Sequence, residues 1–390
     1  MVRAADLIDR ARQATGLDNF GADGDAKDGG WREGLERLVA SANAEARLNS
    51  AGEAAFTGQA VLVLSERLKI EDWYARHPEI DEQEIPQPLM VLGLPRTGSS
   101  ALHCLLAEDP AVRVIRNWES MFPCPPPETA THDSDPRIAV MAEIMVQHDN
   151  VMPRMRQMLP SGPNAPVEDQ LLMAQDFKSQ MFQAAFHIPS YVQWFHHEAD
   201  LVPTFRYVKR VLKLLQWRCP PNRWRLKTPT YAMFIDALDT VFPDARYCMT
   251  HRDVASVVPS AADLYLEMSK PNTDAIDKHW LGEVNLESAE LGMRRMIAFR
   301  EAGNDHRFFD IHFAPFQKDP FPVLERLYAF LGETLTPEAR ARMEAWRRDT
   351  PRDKHGEHEY DPAEFGLDRA VIREQFRFYS ERFDIAAGAG

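Results

Sequence analysis

Three short segments hold residue types whose spacing suits anion chemistry. The first is Val91-Leu-Gly-Leu-Pro-Arg-Thr-Gly-Ser-Ser100. Gly93 and Gly98 have the separation of G-x-x-x-x-G-K-[ST], but Ser99 stands where that pattern requires lysine, and the cation sits inside the loop at Arg96. The apolar run 88–94 predicts a buried strand, and Ala101, Leu102, Leu105 and Leu106 predict a following helix. A strand, a glycine turn and a helix start aim backbone N–H groups at one spot, helped by the helix dipole. That spot suits an anion with a shorter phosphate arm than a nucleoside triphosphate presents. The alternative is an ordinary glycine-turned loop with an incidental arginine.

The second segment is Arg246-Tyr-Cys-Met-Thr-His-Arg-Asp-Val-Ala-Ser-Val-Val-Pro-Ser260. Arg252 lies at the C-terminal edge of a predicted strand, where α/β sheets bind ligands. Ser260 is eight residues on, roughly 12 Å up the next helix at 1.5 Å per residue. A guanidinium and a hydroxyl so placed can close on one phosphate, unless Arg252 merely pairs with Asp253. The third is Trp224-Arg-Leu-Lys-Thr-Pro229, with Lys227 at the end of its own short strand. A lysine there can stabilise charge developing between a donor and an acceptor, although a lone strand-end lysine can equally be a solvated one.

The elements that must position these residues alternate. Residues 1–87 read as helices around a Gly/Asp-rich turn at 21–30. Strands are predicted at 88–94, 113–118, 224–228, 246–250 and 308–312, with helices at 231–242, 254–270, 275–302, 320–331 and 337–348. Such alternation implies a parallel sheet with helices on both faces. Between Pro136 and Cys219 no strand is evident. That Met- and aromatic-rich stretch is read as a helical insertion into the domain spanning 88–390, either plain core or an adaptable apolar pocket. The polar run Arg352-Asp-Lys-His-Gly-Glu-His-Glu-Tyr360 sits in a candidate lid at 350–366.

The 390 residues carry a formal net charge of −14, 44% hydrophobic and 27% charged residues. The charge argues against a nucleic-acid surface, so any anion site is a local basic pocket in an acidic body. Cys104, Cys124, Cys219 and Cys248 form no C-x-x-C pair, which indicates neither zinc nor a disulfide framework. His355 and His358 lack a third ligand in sequence. No apolar run reaches ~18 residues and the start carries acids, so a cytoplasmic protein without an integral membrane segment is expected.

In order and spacing, the three segments resemble sulfotransferases that use 3′-phosphoadenosine 5′-phosphosulfate (PAPS). Arg96-Thr97-Gly98-Ser99-Ser100 matches the family's 5′-phosphosulfate loop, Arg252 and Ser260 its 3′-phosphate element, and Leu226-Lys227-Thr228 the L-K-[ST] segment between them. Phe309-Asp-Ile-His-Phe-Ala-Pro-Phe-Gln-Lys-Asp-Pro320, followed by Leu331-Gly332, looks like the family's tail. Trp118-Glu119, the long helical insertion and Phe365-Gly-Leu-Asp368 are closest to bacterial members. The resemblance, over about residues 88–350, implies a three-layer α/β sandwich with a central parallel sheet, akin to P-loop-containing nucleotide hydrolases. It also implies sulfonate transfer to a hydroxyl or amine, with no metal required. Arg96 and Lys227 would act at the transferred group, and Lys354, His355 and Gly356 would close over the 3′-phosphate. The apolar 136–219 block suggests a hydrophobic or lipid-like small-molecule acceptor.

Two positions depart from the family. Its catalytic histidine follows L-K-[ST] directly or lies two residues further; here those positions are Pro229 and Tyr231. Candidate bases are therefore Tyr231, Glu119, Glu168 and Asp169. A carboxylate is ionised at neutral pH without a shift, which favours Glu119 or Glu168. Glu119 is preferred because its turn follows a predicted sheet strand. The rival readings are a P-loop small-molecule kinase, with Asp253 holding magnesium, and a non-catalytic nucleotide-binding module.

Overall fold

In the computed structural model, which describes residues 1–21, 30–158, 162–350 and 360–388, four parallel strands form the centre. They are β1 (Leu89–Gly93), β2 (Arg225–Lys227), β3 (Arg246–His251) and β4 (Phe308–His312), in the order β2-β1-β3-β4. All five residues of β1 are buried, because both faces of a parallel sheet are covered by helices and its strands read as continuous apolar runs. The period of two still sorts them. Leu89 and Val91 join one core with Leu102, Leu105, Ile311, Leu324 and Tyr328. Met90 and Leu92 join the other with Leu64, Phe177, Phe205, Tyr231 and Tyr247. The result is three layers, as expected.

The chain leaves β1 for β2 on one side and later places β3 on the other. β1 is thus the switch point, and the crevice beyond the C-terminal ends of β1, β2 and β3 is where an open α/β sheet takes its ligand. Register fixes the relative heights: Val91 lies beside Lys227 and Gly93 beside Thr250. Lys227 therefore lies two residues below the end of β1, and its side chain spans the remaining height to reach Ser100.

Among the described residues, 136–219 holds only helices, including Pro136–Val151, Gln180–Ala185, Pro189–His197 and Val202–Gln216. The N-terminal helices pack into the same core cluster as this block and one sheet face. Arg67, 2% exposed, donates to the carbonyls of Phe20 and Gln175 at 2.8 Å each, tying the long helix Ser50–Arg76 to the block.

The strand expected at 113–118 is not present. Arg113 makes a single parallel bridge to Trp224, Arg116 a single antiparallel bridge to Pro166, and the chain then turns into the helix Asn117–Met121. The cause is Glu119. Its carboxylate accepts from Arg113 Nη1 at 3.0 Å and, from the third position of the helix, from the N–H of a still extended Arg116 at 2.9 Å, a cap that starts the helix directly after Arg116. The predicted helix 231–242 also breaks, into a short 3₁₀ turn Pro229–Ala232 and a helix Ile235–Val241.

Candidate active site

The loop after β1 is held in a shape few residues tolerate. Gly93 has φ +128°, and a Cβ there would meet the Thr250 carbonyl oxygen at 2.6 Å. Gly98, at φ +86°, precedes the helix Ser99–Leu106, and Arg96 adopts φ +63°. A non-glycine residue in the left-handed region is strained and persists only where its surroundings hold it. Here the Arg96 carbonyl accepts from Arg252 Nη1 at 2.9 Å, and its guanidinium donates to Ser260 Oγ at 3.2 Å and to the Met158 carbonyl. The first amides of Ser99–Leu106 have no intrahelical acceptors, so the loop offers donors to an anion.

Arg96, Gly98, Ser99, Ser100, Arg252 and Ser260 all line one cleft of about 1630 Å³. Two of the three sequence segments thus meet, and Pro229 brings the third to the same cleft, although Lys227 itself is not among the lining residues. Thr97 does not point into it. Its hydroxyl donates to the Leu94 carbonyl at 2.7 Å and lies 2.6 Å from Thr250 Oγ1, so its side chain staples the loop to β3. Arg252 lies over the Phe313 ring, 4.2 Å from its centroid, and that ring is 3.1 Å from where a Gly98 Cβ would be. Phe313 thus backs both the loop and the arginine.

Lys227, 4% exposed, donates from Nζ to Glu168 Oε1 at 2.6 Å and to Ser100 Oγ at 3.2 Å. This contact joins the end of β2, the anion loop and the helical block. Glu168 keeps a partly exposed side chain and lines the cleft. Asp169 beside it is fully buried, with both carboxylate oxygens unpartnered among the described residues. Burial, reinforced by the Glu168 charge, pushes its carboxyl well above the usual range.

The other base candidates lie elsewhere. Glu119, preferred from sequence, is fully buried and absent from the cleft lining. Its oxygens are occupied by Arg113, the Arg116 amide and His132 Nε2 at 3.0 Å. Although burial opposes it, the Arg113 charge and the hydrogen bonds from His132 and Arg113 bring the Glu119 carboxyl down to about 2. A carboxylate so engaged is a structural anchor. Tyr231 faces the core beside Phe205 at a ring separation of 6.0 Å, with its hydroxyl unpartnered among the described residues. Asp253 does not pair with Arg252. It caps the helix Val254–Ser269 through the Ala255 amide at 3.2 Å and binds Arg373 at 2.9 Å, which leaves the kinase reading without its magnesium acid. Lys354, His355 and Gly356 lie outside the described residues; Tyr360, just after them, lines the cleft and donates to the Ser256 carbonyl at 2.9 Å.

Sequence reasoning missed Arg116, Gln170 and Gln180, all on the cleft wall. Gln170 Nε2 donates to Thr228 Oγ1 at 2.8 Å and Thr230 Oγ1 at 2.7 Å, bracing the segment after Lys227. Its adjacency to Glu168 was the one available signal. Met145, Met181, Leu264, Met268 and Met293 also stand on the walls of the cleft. No described helix is long and apolar enough to cross a membrane.

Comparison with known proteins follows this geometry. A family profile described as "Sulfotransferase family" matches residues 88–337. The fold is similar to the crystal structure of sulfotransferase STF9 from Mycobacterium avium. The two share 30% identity at a TM-score of 0.88, over 99% of this chain and 98% of that one. Sulfotransferase STF1 from Mycobacterium tuberculosis H37Rv is similar at 28% identity and a TM-score of 0.84, over 96% and 98% of the two chains. No curated protein sequence matches significantly.

The anchoring role of Glu119 is measurable. Removing one partner of a buried pair typically costs about 3–5 kcal/mol, so Glu119→Gln should lose about that much in urea denaturation at neutral pH. Because the folded-state value is depressed to about 2, this stabilisation is complete above the ordinary carboxylate range and is lost as pH falls through that range toward the folded value. The difference between wild type and variant should shrink over the same interval. A difference independent of pH would show that the Glu119 charge contributes nothing.

Proposed function

The chain belongs to the sulfotransferase family, enzymes of sulfonyl transfer, and on that premise we propose that it moves a sulfonate from PAPS to a hydroxyl or amine of a hydrophobic or amphipathic small molecule. The observation that carries this reading is the Lys227–Glu168 pair, 2.6 Å long, set where the anion loop meets the helical block.

The donor's chemistry suits the residues on its side. The glycine-turned loop would receive the 5′-phosphosulfate on backbone amides, with Arg96, Ser99 and Ser100 around it. Arg252 and Ser260 would take the 3′-phosphate, arginine being suited to its planar, bidentate recognition. Ser99 in place of a loop lysine fits a group that has no β- and γ-phosphates to hold. Methionine-rich walls adapt to varied apolar shapes, which supports the acceptor class.

The proposed step is a direct displacement. The acceptor oxygen bonds to sulfur while the bond from sulfur to the 5′-phosphate oxygen breaks, leaving its electron pair on that oxygen. Lys227 neutralises the charge developing there. Glu168 takes the acceptor proton. In this scheme their mutual ion pair opens to free each residue for its task. The scheme gives a metal no part.

Adenosine 3′,5′-bisphosphate should therefore raise the melting temperature without magnesium, and by more than Mg-ATP does. At 100 times its dissociation constant the linkage stabilisation is about 2.7 kcal/mol. Arg252→Ala should erase the preference for this ligand over its 3′-hydroxyl analogue, whereas equal loss for both would make the arginine structural. Equal or better stabilisation by Mg-ATP would favour a kinase.

Lys227→Ala should lose on the order of 100- to 1,000-fold in turnover, as removal of a transition-state donor does. Adenosine bisphosphate affinity, measured by calorimetry, should change far less. Near-normal turnover would remove the lysine from the mechanism.

A further inference from the structure

Outside the cleft, one group of side chains has a donor set the transfer reaction leaves unused. His196 and His197 end the helix Pro189–His197, and Glu287 lies on the helix Lys278–Phe299, whose Glu287 and Arg295 side chains reach that helix end. One ligand atom from each residue lies within 4.8 Å of the others. The two carboxylate oxygens divide between the rings. Glu287 Oε1 is 2.7 Å from His197 Nε2, and Oε2 is 3.9 Å from His196 Nδ1.

His196 makes this more than a surface cluster. Its side chain is fully buried, and Nδ1 has no hydrogen-bond partner among the described residues. Its Nε2 is 3.2 Å from Gln183 Oε1. A carboxamide oxygen only accepts, so Nε2 carries the hydrogen and Nδ1 presents a bare lone pair. The neighbouring Ser288 hydroxyl gives its proton to the Val284 carbonyl at 2.7 Å, which leaves that tautomer undisturbed. A buried lone pair facing a carboxylate oxygen calls for a cation between them. A metal bonded at about 2.1 Å to each ligand spaces them roughly 3.4 Å apart, between the two distances observed. Gln183 acts as the outer partner that metal-bound histidines characteristically have. Arg295 donates to the His196 carbonyl at 2.9 Å and fixes the helix end.

We propose that His196 Nδ1, His197 Nε2 and the Glu287 carboxylate form a site for a divalent transition-metal ion of zinc type, clamping these two helices together. Two histidines and a carboxylate with an open fourth position suit zinc. His197 and Glu287 are 37% and 43% exposed, which gives the ion a path from solvent. Asn285, Ser288 and Ala289, on the same helix as Glu287, line the cleft. The clamp thus stiffens a wall of the cleft and takes no part in sulfonate chemistry.

The test is a titration of the full-length, metal-stripped protein with zinc chloride, followed by calorimetry and thermal melting, and by visible absorption with cobalt(II) as a spectroscopic substitute. The expected result is one zinc per chain, a raised melting temperature and the intense bands of tetrahedral cobalt. Glu287→Gln and His197→Asn, both at exposed positions, should abolish all three. Gln183→Leu should weaken zinc binding by about 10- to 100-fold while the ligands remain. A wild-type protein that takes up no zinc would overturn the proposal. So would uptake unchanged in Glu287→Gln, which would place the metal on other histidines. A wild type indifferent to zinc whose stability depends on pH through Glu287 would show that the occupant is a proton on His196.

Discussion

The arrangement depends on a buried ammonium that needs an anion. Lys227 ends β2 almost wholly out of water, and an uncompensated charge there would cost several kcal/mol. Glu168 supplies the counter-charge at 2.6 Å, with Ser100 as a second partner. Because β2 is registered against β1, this satisfies the lysine and docks the helical block onto the end of the sheet at the height of the anion loop. An incoming anion on the loop offers Lys227 a second counter-charge. In the proposed reaction the pair that stabilises the resting protein would separate into a cation beside the leaving oxygen and a base beside the acceptor.

Holding an anion in a chain of net charge −14 requires concentrating positive partial charge locally, and the backbone does much of this. Gly93 lets β1 run within touching distance of Thr250, where a Cβ would collide, and Gly98 opens the helix. Arg96 accepts a strained backbone because Arg252 and Ser260 hold its carbonyl and guanidinium. Elsewhere, cations are consumed by neighbours: Arg113 by Glu119, Arg373 by Asp253, and Arg300 by Asp310 at 2.8 Å. Arg96, Arg116 and Arg252 line the cleft.

What the sequence revealed and what it hid follow from the range of the interactions involved. The four strands, the loop, Arg252, Ser260 and Lys227 were legible, because each depends on local periodicity and on the rule that ligands meet the C-terminal ends of parallel strands. Glu119 was misjudged because the Val114-Ile115 pair before Trp118 mimics a short strand, and the turn after a sheet strand should face the ligand crevice. Which carboxylate captures a buried arginine is decided by packing against Trp224 and His132, far away in sequence. Tyr231 turned inward for a similar reason, finding Phe205 of the helical block. Gln170, Gln180 and Arg116 carry no diagnostic spacing and become visible only when the helical block folds over the sheet. The His196–His197–Glu287 group escaped sequence reading altogether, since its third ligand lies on another helix.

The central claim, that Glu168 takes the acceptor proton as Lys227 releases it, is tested most directly by acceptors of graded acidity. Turnover of wild type and Glu168→Gln would be compared across alcohols and phenols of falling pKa. General-base catalysis contributes typically about 10²- to 10⁴-fold, so the ratio of wild type to variant should be of that order for weakly acidic acceptors. It should fall toward unity for phenols already ionised in solution. A ratio that stays constant across the series would contradict the account, and would leave Glu168 as no more than the group that positions Lys227.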